Sequence, residues 1–103
     1  MRVETTLQAE RALDNILSCS TDIYGKETIK KFYSNLKLYR HLLANNPLMG
    51  IEERDFSNAI FTYRSVVIHP LFKVIYTIKD NVLYIADIWD TRRDPELLRK
   101  RLE

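Results

Sequence analysis

Two adjacent arginines, Arg92 and Arg93, stand between Asp90 and Asp94 and just ahead of Pro95. A guanidinium keeps its charge at any physiological pH and offers a planar fork of donors, so it grips two oxygens of a phosphate at once. Arg64 and Lys73 are further cations that suit the same task, and Trp89 is an aromatic close by. Each has a structural alternative. Arg92 and Arg93 can pair with Asp90 and Asp94, Arg64 and Lys73 can be solvent-face strand residues, and Trp89 can be a core or rim aromatic. Groups that would move protons are scarcer. His41 reads as a surface residue of a helix and His69 as a turn residue, and Glu96 is the only carboxylate just past Pro95. Cys19 has no His or second Cys at ligand or catalytic spacing, so no metal site and no cofactor is expected.

Three runs position these residues. Ile60–His69, Phe72–Ile78 and Val82–Trp89 are rich in β-branched and aromatic residues and separated by turn-formers, which predicts three strands joined as hairpins. Asp80-Asn81 suits the left-handed backbone of a two-residue hairpin turn, and Pro70 suits a turn. The sheet is expected to be an antiparallel meander that delivers Arg92-Arg93-Asp94-Pro95 to the end of its last strand. On the middle strand Phe72, Val74, Tyr76 and Ile78 share the core face; Lys73, Ile75, Thr77 and Lys79 share the other, a candidate groove.

Upstream, Arg2-Val3-Glu4-Thr5 is a candidate first strand. Thr5 and Gln8 have capping-box spacing, and Ala9, Ala12, Leu13, Ile16, Leu17, Ser20, Ile23 and Tyr24 recur three and four apart, predicting a helix over Thr6–Ile23 ended by Gly25. Ile29, Phe32, Tyr33, Leu36, Tyr39, Leu42 and Leu43 repeat that spacing until Asn45-Asn46-Pro47 ends a second helix; Tyr33, Tyr39 and Tyr76 fit the core. Pro47–Asn58 reads as a surface loop. Glu96–Glu103 is a possible terminal helix, marginal alone, with Asp94 as its cap. The order β-α-α-β-β-β gives an α+β fold, a helical hairpin on one face of a small antiparallel sheet, as one domain over residues 1–103.

The composition is that of an ordinary globular chain, 46% hydrophobic and 29% charged with a net charge of +2, too small to announce a nucleic-acid binder. The basic residues Lys26, Lys30, Lys31 and Lys37 read most simply as a solvated helix face, or as one that meets an acidic partner or a nucleic-acid backbone. A single cysteine fits a reducing compartment, and no apolar run approaches membrane-spanning length, so a cytoplasmic protein with no membrane contact is expected.

Nearly the whole chain resembles the RelE/ParE superfamily of toxins from bacterial type II toxin–antitoxin systems. The residues that carry the resemblance are Glu10–Ile16, the Tyr24-Gly25 junction, Leu43–Pro47, Tyr63–Ile68 leading into Phe72–Tyr76, and Val82–Asp87 followed by Ile88–Pro95. Many members carry a His-Gly-Arg-Arg-Asp type sequence where this chain has Asp90-Thr91-Arg92-Arg93-Asp94. The resemblance implies a plasmid-stabilisation type growth inhibitor held inactive by a cognate antitoxin. It leaves two chemistries open. ParE-like members bind DNA gyrase; RelE-like members are ribosome-dependent mRNA interferases, metal-independent endoribonucleases. Cutting RNA through its 2′-hydroxyl needs a base, cations on the phosphate oxygens and an acid. Arg64, Lys73, Arg92 and Arg93 would be the catalytic cations in that case. RelE-like nucleases place a Tyr or His a few residues past the terminal Arg, where this chain has Pro95-Glu96-Leu97-Leu98. That lack favours the ParE-like branch, with Arg64, Lys73, Trp89, Arg92 and Arg93 as target- or antitoxin-binding residues. A degenerate toxin that only binds antitoxin is the remaining alternative.

Overall fold

The computed structural model describes residues 1–19 and 25–102; the helix end expected at Ile23 and the side chain of Cys19 lie outside the described residues. The elements run β1 (Arg2–Thr5), α1 (Leu7–Cys19), α2 (Lys26–Asn45), β2 (Ile51–Glu52), β3 (Tyr63–His69), β4 (Phe72–Lys79), β5 (Val82–Asp90) and α3 (Pro95–Leu102). They build one five-stranded sheet in the order β1-β5-β4-β3-β2. The meander β3–β4–β5 is antiparallel as expected, and its tight turn holds Asp80 at φ 53° and Asn81 at φ 63°, both left-handed. Two expectations need correction. The sheet is mixed, because β1 pairs parallel with β5; the two helices and strands β2 to β4 all lie in the long connection between them. The connector also holds β2, which pairs with Arg64 and Ser65.

The face parity read from β4 holds. Phe72, Val74 and Tyr76 lie in the core under the helices with Phe32, Leu36, Leu43, Ala9 and Ala12. Phe32 and Phe72 pack with ring centroids 4.5 Å apart and planes tilted by 47°. Each such buried apolar side chain contributes about 1.5–3 kcal/mol. Tyr33 is the exception among the tyrosines assigned to the core: it is 40% exposed, with Lys37 Nζ 4.7 Å from its ring centroid. The helix-one cap is Thr6 rather than Thr5, its Oγ1 accepting the Ala9 amide at 3.2 Å. Gly25, at φ 87°, opens α2, and the helix stops at Asn45 as the Asn-Asn-Pro sequence requires.

The other sheet face is less open than the strand pattern implies. Helix α3 forms and docks there, with Leu98 fully buried among Phe56, Tyr63, Ile75 and Trp89 and Leu102 packed alongside. Asp94 caps it by accepting the Glu96 amide at 3.0 Å. A segment too short to be helical alone is held by this apolar contact. Among the described residues no helix is long and apolar enough to cross a membrane.

Candidate functional site

Strand β5 has one residue more than β4 between paired positions: Ile75 faces Asp87 and Tyr76 faces Ile85, leaving Ala86 as a bulge. The bulge shifts the alternation, so that Ile88 faces the helices and Trp89 the opposite side. It also sets Asp87 opposite Ile75 of the second face, where it has zero exposure. Beyond Ile85, strand β1 no longer covers the β5 edge. There Asp87 Oδ1 accepts the Ile88 amide at 2.9 Å and Arg101 Nη2 at 3.0 Å, while Oδ2 accepts Gln8 Nε2 at 3.2 Å. Burial raises the Asp87 pKa; the Arg101 cation, those hydrogen bonds and the charge of Arg93 oppose the rise. One buried carboxylate thus ties α1, β5 and α3 together.

Trp89 lies over this junction at 2% exposure. The guanidinium carbons of Arg93 and Arg101 sit 4.5 and 5.3 Å from its ring centroid, within cation–π range. Both arginines line a cleft of about 170 Å³ beside α1. Arg101 is committed to Asp87. Arg92 is committed to Asp90, through Nε at 3.2 Å and Nη2 at 3.1 Å. Among the described residues Arg93 has no carboxylate within ion-pair distance.

Lys73 points to the second face, as expected, but Glu53 receives its Nζ at 3.3 Å. The same Glu53 oxygen accepts Ser65 Oγ at 2.6 Å, so this trio pins the connector to the sheet. Arg64 lies on the helix face instead. Its Nη1 donates to the Gly50 carbonyl at 2.9 Å, beside Tyr76, whose hydroxyl donates to Pro47 O at 2.8 Å and accepts the Gly50 amide at 2.9 Å. Burial raises the Tyr76 pKa against that amide bond and the Arg64 charge. The structure therefore brings Trp89 and Arg93 together, sets Arg92 beside them on Asp90, and leaves Arg64 and Lys73 with partners of their own. Neither histidine joins Arg93. His41 is exposed on α2, and His69 turns its Nδ1 to the Leu71 amide at 3.2 Å. Sequence reasoning passed over Arg101 and Asp87. One signal was present, a lone carboxylate inside the apolar run Val82–Trp89.

A wider cleft of about 450 Å³ lies on the second face, lined by Phe61, Tyr63, Thr77, Lys79 and Tyr84 among others. Among the described residues no three His, Cys, Asp or Glu side chains gather as a metal site requires.

No protein-family model matches the chain, and no curated protein does. Among solved structures, a chain from "Chromosomal ParDE TA system from P. aeruginosa" superposes with a TM-score of 0.68 at 18% identity, over 87% of this chain and 95% of that one. At that identity the likeness establishes the fold, which is the RelE/ParE-like α+β arrangement expected from the sequence.

Proposed function

We propose that this chain is the toxin of a type II toxin–antitoxin system, ParE-like, arresting growth in the cytoplasm by binding a cellular target and neutralised by a cognate antitoxin. What supports the toxin reading is the fold shared over nearly all of both chains. DNA gyrase is the target of first choice. The observation that carries binding over RNA cleavage is the dispersal of the candidate cations. Arg64, Lys73 and Arg92 each serve a neighbour within this chain, and among the described residues no Tyr or His accompanies Arg93. Hydrolysing a phosphodiester needs converging cations and a proton-transfer group in hydrogen-bond reach of the reacting oxygen.

The test is induced expression in bacteria, with transcript mapping and a gyrase supercoiling assay on purified protein. Growth arrest with intact transcripts and lost supercoiling is expected. Transcripts cut within translated regions would replace this reading with the nuclease. Unimpeded growth would leave a degenerate toxin whose remaining role is to bind antitoxin. Within the binding reading, Arg93→Ala should lower toxicity while the fold persists, as measured by colony counts and circular dichroism.

A further inference from the structure

We infer that the cleft between α1 and the end of β5 receives one carboxylate side chain, a glutamate or aspartate of a partner polypeptide. Three observations carry this. The first is charge. Among the described residues around the cleft, Arg101 pairs with Asp87 at 3.0 Å and Arg92 with Asp90 at 3.1 Å, while Arg93 has no carboxylate within ion-pair distance. The second is shape. The cleft holds about 170 Å³, room for one side chain. The third is its two-sided lining, with Ala12, Ile16, Phe72 and Ile88 apolar and Asn15, Asp90, Arg93 and Arg101 polar, the Asp90 carboxylate being engaged by Arg92. That suits an aliphatic stem ending in a carboxylate, packed along the apolar wall with its oxygens at the guanidinium fork. A phosphodiester has no such stem and would face the apolar wall with charged oxygens.

Trp89 sets the position of the fork. The indole beneath Arg93 and Arg101 holds both planes in place, which lowers the entropy lost when an anion binds. The chemistry of the cleft stands on the geometry alone. That the partner is the antitoxin rests on the functional reading above.

Trp89 is the only tryptophan in the chain, so its indole N–H resonance reports on the cleft. The experiment titrates the free protein at constant ionic strength with butyrate, which mimics the acidic side chain, with butyramide as its neutral counterpart, and with inorganic phosphate. A saturable shift of that resonance with butyrate is expected, with no matching shift from butyramide. Arg93→Gln should weaken the butyrate response at least about tenfold, since a hydrogen bond to a charged group is lost. The melting temperature of the variant should equal that of the parent, which excludes a folding defect. No saturable butyrate response, equal response to butyramide, or parent-like binding by Arg93→Gln would each overturn the inference. Tighter binding of phosphate than of butyrate would overturn it in favour of a phosphate ligand. The toxin reading is judged by growth arrest, so either idea can fail while the other stands.

Discussion

Arg64 and Arg93 carry the same group at two ends of one sheet, and they are used differently. Arg64 spends its fork on the Gly50 carbonyl, next to a Tyr76 hydroxyl that bonds the same loop twice. Arg93 lies on a buried indole, apart from any carboxylate of the described residues. The first geometry closes a structure; the second leaves hydrogen-bonding capacity unspent. A guanidinium is therefore a site candidate by what it lacks as much as by where it stands.

Arg101 is the severest test of that contrast, because it sits at the Arg93 end yet acts as structure. Arg101→Gln strands a carboxylate of zero exposure and should cost about 3 kcal/mol in urea unfolding, since removing one partner of a buried pair leaves the other charge uncompensated. A loss below about 1 kcal/mol would mean that Gln8 and the Ile88 amide suffice for Asp87.

Gly50→Ala tests the other end. A methyl group there would stand 2.6 Å from the Tyr76 hydroxyl and 2.8 Å from the Ser65 carbonyl. The carbonyl belongs to a paired strand and cannot swing away, so the loop must shift and both of its bonds to Tyr76 weaken. The expected loss is about 2 kcal/mol, read by thermal or urea denaturation.

How much of this was legible in the sequence follows the range of the interactions. The Asp80-Asn81 turn, the stop at Asn45-Asn46-Pro47 and the two faces of β4 are local or periodic, and residue type alone announces them. The parallel pairing of β1 with β5 joins residues at opposite ends of the chain, and no local pattern encodes it. Strand β2 is two residues long and shows no period. The bulge at Ala86 breaks the alternation on which face assignment depends: counted with Leu83 and Ile85, Asp87 falls on the helix side, whereas it pairs with Ile75 of the other face. Arg101 looks like its neighbours Arg99 and Lys100; only the docking of α3 singles it out. Arg93 and Trp89 were legible as candidates, while the internal partners of Arg64, Lys73 and Arg92 were not.

The two arginines themselves give the smaller effects. Arg64→Gln removes a partner of the Gly50 carbonyl and should destabilise by about 1 kcal/mol. Arg93→Gln should change stability by less than about 0.5 kcal/mol, as for other exposed positions. If growth arrest is the readout, loss of toxicity in the Arg64 variant should follow its loss of folded protein, and in the Arg93 variant it should not. Equal stability losses for the pair would erase the distinction drawn between them.

The pH dependence of stability refines the account of the Arg93 end. Burial holds the folded-state pKa of Asp87 above the ordinary 3.8 in spite of Arg101, Arg93, Gln8 and the Ile88 amide. Between 3.8 and that raised value the folded protein keeps a proton that the unfolded chain has released. The contribution of this group is then fully present below 3.8 and falls as pH rises through the folded value, opposite to an aspartate whose pKa an ion pair depresses. Subtracting the unfolding free energy of Asp87→Asn from that of the parent, pH by pH, isolates the effect from the other carboxylates. The difference should decline from acid toward neutral pH. A difference that grows instead would mean that the Arg101 pair outweighs desolvation, and that the buried carboxylate is a net source of stability at neutral pH.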